Sequence, residues 1–245
     1  MSVFDNISTD SNVQSQGDVL YTGNYTSKTG IYKCLVELAY AHESRGGAKA
    51  ITVHFRSADG EMTHRETFYY TNKKKQVFYE KDKKKVYLPG YEQMDNLAHI
   101  CAGVPLTALK DEMRMVKLYD WEAKKEVPKE VPVFPELMGK PVRVGLLLKE
   151  TNRRKKSGEK YVNTNEKRTF NEVSKLFHPN GLSVAEKAAG NTEAVFIKEW
   201  EETYPEDYVY STYKEVAETA VTSAVEAASA AAAEASAVED DDLFA

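Results

Sequence analysis

The sequence predicts a mainly β protein with a minor helical part: five strands closed as a Greek-key barrel, a helix between the third and fourth, short C-terminal helices and a low-complexity tail. Three observations lead there. Alternating, β-branched and aromatic segments recur from residue 31 onward, separated by Gly-containing turns. A single strong helical period interrupts them at 91–102. From residue 217 the composition collapses to alanine and glutamate, with no apolar face large enough to dock.

The elements follow in order. Ile31–Ala41, Lys49–Arg56 and Met62–Thr71 alternate, and Ser44-Arg45-Gly46-Gly47 and Ala58-Asp59-Gly60 join them as hairpin turns, which makes an antiparallel meander. In the first strand Tyr32, Cys34, Val36, Leu38 and Tyr40 share a face; in the second Ile51, Val53 and Phe55 do, leaving Thr52, His54 and Arg56 opposite. One face is expected to form the core and the other to be free to bind. A basic loop, Asn72–Val86, precedes the helix Tyr91–Ala102, where Met94, Leu97, Ala98 and Cys101 keep helical spacing and Gly103 stops it. Met113–Tyr119 alternates as the fourth strand. The prolines of Val127–Pro141 exclude helix and central strand, so an extended surface connection is expected. Val142–Glu150 is the fifth strand, Lys160–Phe177 a ribbon or short strand pair, and Leu182–Ala189 and Glu193–Tyr204 short helices. Three meandering strands, a helix and two further strands is the element order of an OB-fold. The chain divides into a flexible N-terminus, 1–20; the OB-fold body with its extension, 21–205; an Ala/Glu-rich tether, 206–238; and an acidic tip, 239–245.

The net charge of −5 conceals a split. Residues 1–180 carry 30 Lys and Arg against 23 Asp and Glu, whereas residues 181–245 carry 3 against 15. A basic body with an acidic tail points to a polyanion as the body's partner. The densest signal is YYTNKKKQVFYEKDKKKVYLPGY, residues 69–91. Here Lys73, Lys74, Lys75, Lys83, Lys84 and Lys85 are interleaved with Tyr69, Tyr70, Phe78, Tyr79, Tyr87 and Tyr91. Single-stranded nucleic acid needs both kinds of group, ammonium for phosphate and flat rings for exposed bases. The bland alternative is a charged hairpin with inward-packed rings. Arg153, Arg154, Lys155 and Lys156 form a second basic cluster at a turn after the fifth strand, and Arg56 and Arg65 add charge on the meander.

Catalytic motifs are absent: there is no phosphate-cradling GxxxxGK[ST], GxGxxG or GxSxG, and the five histidines lack metal-ligand spacing. Neither a cofactor nor a metal is expected, and the chain reads as a non-enzyme. A metal-dependent nuclease built on Asp111 with Glu122 and Lys124 is the weaker rival, and an adaptor without DNA binding another. Cys34 and Cys101 read as two buried free thiols. The N-terminus lacks the basic and apolar regions of a secretory signal, and no run reaches membrane-span length, so a cytosolic protein is expected.

With these residues in view the chain resembles the bacteriophage single-stranded DNA-binding proteins, in pieces such as YTGNY, SRGGAK, LPGYEQMDNL and PELMGKPV and in its acidic, aromatic-bearing end, VEDDDLFA. The resemblance implies sequence-independent binding and protection of single-stranded DNA during phage replication, recombination or repair, in the cytoplasm of an infected bacterium. It also implies that Glu239, Asp240, Asp241 and Asp242, with Leu243 and Phe244 as apolar anchor, recruit a polymerase, helicase or nuclease and compete with DNA for the basic body. The chain departs from the pattern in ending at Ala245 and in its alanine-rich tether. A homodimer is left open.

Overall fold

The computed structural model describes residues 26–60, 62–120, 123–157 and 160–216. The expected N-terminal, tether and acidic-tip segments therefore lie outside the described residues, apart from 206–216. The fold is mainly β with a large antiparallel sheet. β1 (Gly30–Glu43), β2 (Lys49–Ser57) and β3 (Thr63–Tyr69) form the expected meander. β8 (Pro141–Ser157) pairs with β1 over its first residues and with the short parallel β10 (Val209–Ser211) over the next. β9 (Lys160–Phe177) follows the other edge of β8 from Arg143↔Phe177 to Ser157↔Lys160.

The alternation in β1 does not run through. The ladder pairs Val36 with Phe55 and Leu38 with His54, so Glu37 is an extra residue. This bulge shifts the inward positions from Cys34 and Val36 to Ala39 and Ala41, and carries Leu38 and Tyr40 to the outer face. The inward residues of β2, Ile51, Val53 and Phe55, are at most 1% exposed, and full burial of each stabilises by roughly 1.5–3 kcal/mol.

α1 (Pro89–Cys101) closes the core with the predicted stripe: Met94, Leu97 and Ala98 are buried and Cys101 is half-buried. Gly103, at φ +71°, donates to Ala98 and His99 and ends the helix. Both cysteines are free, and burial pushes each thiol up to about 12. The helix starts directly on β3: a Cβ on Gly90 would lie 2.3 Å from the Tyr69 carbonyl oxygen, which only glycine permits.

The large sheet is not closed. Where β3 and β9 approach there is no ladder between them: Val173 N donates to Glu66 Oε2 of β3 at 3.0 Å, and beside it Gln93 Nε2 of α1 donates to the Ser174 carbonyl at 2.8 Å. Ser174 is itself an extra residue in the β8–β9 ladder, opposite the Gly145–Leu146 step. Gly145 leaves room for Trp200 of α3 (Phe196–Thr203), whose ring would stand 3.2 Å from an added Cβ. Trp200, Ile197, Phe177 and Leu147 form a second, smaller core. One carboxylate joins the two C-terminal helices. Glu186 of α2 (Val184–Ala188) completes a capping box with Ser183 and accepts from the backbone N–H groups of Val195 and Phe196 at the start of α3.

Three expectations are corrected. Asn72–Val86 is not a loop throughout: β4 (Phe78–Lys81) and β5 (Lys84–Tyr87) form a separate two-stranded sheet, so along the chain α1 follows the fifth strand and not the third. The proline-punctuated stretch contains a strand, β7 (Lys125–Val133), paired along β6 (Glu112–Asp120) as a ribbon that meets the main sheet at Tyr40↔Val133. Pro128 and Pro132 are four apart, so both missing N–H groups point to one edge of β7, which a two-stranded ribbon leaves unpaired. The fifth strand does not stop at Glu150 but continues through the basic cluster to Ser157. No helix among the described residues is long and apolar enough to cross a membrane.

Candidate nucleic-acid interface

The first basic cluster is presented by two turns. In the first, Asn72 Oδ1 accepts from the backbone of Lys74 and Gln76, and Lys75 takes φ +60°, so Lys73, Lys74 and Lys75 all project into solvent. In the second, Asp82 and Lys83 have φ +51° and +63°, the type I′ pattern that matches the twist of a two-residue hairpin. The hairpin sets Phe78, Glu80, Lys85 and Tyr87 on one face and Tyr79, Lys81, Lys84 and Val86 on the other. Lys85 Nζ lies 4.9 Å above the Phe78 ring, and Tyr87 stacks on Tyr91 with centroids 4.9 Å apart. Lys81 stands opposite Lys84, a like-charge pair that an anion would relieve. The six cluster lysines form no ion pair with any described carboxylate.

The rings divide. Tyr69, Tyr79 and Tyr87 are exposed at 48%, 39% and 52%. Tyr70 instead packs against the main core, where burial raises its hydroxyl pKa. Arg56 and Arg65 both stand on the outer face of the meander. Arg56 is engaged by Glu37 at 2.6 Å, whereas Arg65 lies beside His54. Burial, followed by the Arg65 charge, lowers the His54 pKa, so the neutral imidazole is favoured.

The second basic cluster lies on an arm formed by the outer halves of β8 and β9. Arg153, Arg154, Lys155 and Lys156 are all exposed there. Between Asn152↔Lys167 and Arg154↔Asn163 one residue faces three, so the arm bends at that point. At the bend a cleft of about 600 Å³ is lined by Arg153, Arg154, Tyr161, Arg168 and Phe170, with Thr151 and Asn152 as its floor. The Arg168 guanidinium rests on the Phe170 ring at 5.4 Å, and Tyr161 is 66% exposed. Arg153 is held by Glu166, while Arg154 and Arg168 form no ion pair among the described residues. Tyr161 and Phe170 were not singled out in sequence. They lie nine positions apart, out of phase with a period of two, and the polar run Asn163–Glu166 conceals a continuous strand. A second hollow, of about 710 Å³, opens over the β3–β9 seam between Tyr69, Lys73, Leu88, Gln93, Leu147 and Glu172. Phe170 lines one hollow and Glu172 the next, about 7 Å further along β9, so the two follow one another on the surface.

The bend is also where the C-terminal segment is fastened. Asn152 donates to the Lys214 carbonyl and accepts from Lys214 N–H, and Asn165 makes the same reciprocal pair with Val216. Asp111 is exposed, and Glu122, the other carboxylate of the nuclease rival, lies outside the described residues. Among the described residues no group of three or more His, Cys, Asp or Glu side chains is placed to hold a metal. No protein-family model, curated protein or solved structure matches the chain.

Proposed function

We propose that the chain binds single-stranded DNA without reading its sequence, coating and protecting strands exposed during replication, recombination or repair of phage DNA in an infected bacterium. The observation that carries this reading is the pairing, on two projecting hairpins, of unneutralised cations with exposed rings. Cations alone would suit any polyanion. Rings that a paired base cannot reach favour the unpaired strand, where each stacked base contributes about 1–3 kcal/mol. The two hollows along β9 give such a strand a continuous path. The body is read as an opened OB-like plan in which the seam between β3 and β9, bridged by Glu66 with Gln93 of α1 beside it, stands where a closed barrel would carry a ladder.

The test is fluorescence anisotropy with an oligo-dT and a duplex of equal length at two salt concentrations. Single-strand preference with steep loss of affinity in salt is expected. Equal affinity for duplex, or salt-insensitive binding, refutes the proposal. The role proposed for Glu239–Phe244, recruiting replication proteins and competing with DNA, is tested by deleting residues 239–245. Tighter DNA binding at low salt and weaker partner recruitment are expected, and looser DNA binding overturns that role.

A further inference from the structure

The β6–β7 ribbon has a feature that DNA binding does not use. A two-stranded ribbon is marginal on its own in water. Among the described residues this one joins the main sheet only at the Val133 end of β7, and it exposes Met113 at 54%, Met115 at 65% and Tyr119 at 44%, all on one face with Pro128 and Pro132. Its two edges are unequal. Prolines block the outer edge of β7. The outer edge of β6, Glu112–Asp120, contains no proline and no bulge, and forms no ladder among the described residues. Edges of this kind template pairing with another strand unless charge or proline guards them.

We infer that β6 is the strand by which two copies of this chain pair edge to edge, in a four-stranded sheet centred on Met115. In a two-fold antiparallel pair the residue on the axis faces its own copy, so that residue defines the register. Arg114 or Lys117 on the axis would oppose a cation with itself. Val116 on the axis would set Glu112 against Asp120 of the other copy, and like charges directly opposite are destabilising. Met115 on the axis avoids every such clash. It joins Met115 to Met115, Met113 to Lys117, Arg114 to Val116 and Glu112 to Leu118, and overlaps the whole of Glu112–Leu118. Registers centred further out overlap five residues or fewer. The chosen register also buries the most exposed methionine of the strand at the centre and lays each Lys117 stem over a methionine.

The experiment uses the full chain. Sedimentation at about 100 µM should give twice the chain mass of 27.6 kDa, and Met115→Pro, which removes the outward N–H at the centre of the edge, should return it to one chain. Under mild oxidation Met115→Cys should give a covalent dimer. Lys117→Cys should not, because the two copies of residue 117 would stand about 14 Å apart along the strands, beyond the roughly 7 Å a disulfide spans. Wild type, with Cys34 buried and Cys101 half-buried, sets the background. Circular dichroism of each variant controls for folding. A wild-type monomer, equal crosslinking of Lys117→Cys and Met115→Cys, or a folded Met115→Pro dimer would each overturn the inference. None of these readouts involves DNA, so they stand or fall separately from the proposed function.

Discussion

Replacing the second lysine triplet tests the interface with least risk to the fold. The variant is Lys83→Asn, Lys84→Thr and Lys85→Thr. Lys83 has φ +63°, a region asparagine tolerates well, and threonine suits the strand positions. Removing Lys84 relieves its opposition to Lys81, by about 0.2–1 kcal/mol. Removing Lys85 forfeits a cation–π contact with Phe78 of about 0.5–1 kcal/mol at an exposed site. These nearly cancel, so the hairpin should persist. Each phosphate contact on a single strand contributes about 0.7 to the slope of log affinity against log salt. Three lost contacts lower the slope by about 2, so the fourfold rise from 50 to 200 mM salt costs wild type about 18-fold more affinity than the variant. Anisotropy titrations with labelled oligo-dT across that range read the slope directly. Lys28→Ala is the control, since Glu206 at 2.6 Å already balances Lys28. An unchanged slope in the triple variant, or an equal fall in the control, would refute the assignment of this hairpin to phosphate contact.

Other perturbations bear on the frame that holds the interface. Gly90→Ala drives a Cβ into the Tyr69 backbone and should cost about 1–3 kcal/mol, visible as a lower Tm; an unchanged Tm would mean that helix and strand do not touch there. Asn152→Ala removes its three hydrogen bonds to the Lys214 backbone and the Thr164 carbonyl, at about 0.5–1.5 kcal/mol per bond, and should speed hydrogen exchange at Lys214 well above wild type. Backbone hydrogen bonds from Phe196 and Ser183 hold Glu186 down to about 2, from an ordinary 4.5. The carboxylate therefore stabilises the fold fully above pH 4.5, and that contribution disappears as the pH falls towards 2. Melting curves from pH 5 to 2 should consequently be flatter for Glu186→Gln than for wild type.

Much of the frame was legible because hydrophobic spacing dictates it. The stripe Met94, Leu97, Ala98 and Cys101 and the alternation of Ile51, Val53 and Phe55 have one economical solution each, and both are realised. The departures arise where one residue breaks a period or where polar composition conceals it. Glu37 reads as an ordinary outward residue, yet as a bulge it reverses the side taken by Leu38 and Tyr40. Asp82-Lys83 lacks the glycine that announces a type I′ turn, so β4 and β5 read as loop in the sequence. The prolines of β7 argue against a central strand but not against the edge they occupy. Of the candidate interface, the lysines and most rings could be named from composition and interleaving. The arm's cleft could not, because it depends on a bend where Arg153 faces three residues and on Asn152 and Asn165, whose partners lie 62 and 51 positions away.

Those two asparagines have a mechanical consequence. A pull on the chain beyond residue 216 meets its fastenings in series: the Asn165 pair with Val216, then the Asn152 pair with Lys214, then the Thr212 bond to Glu150, and only afterwards the parallel strand β10. Each can part before the next is loaded, so tension peels a strap from the edge of β8 while Leu147, Phe177 and Trp200 stay packed beneath. The C-terminal attachment behaves as a sacrificial seam that yields stepwise and can reseal, sparing the body from the force applied to its tail.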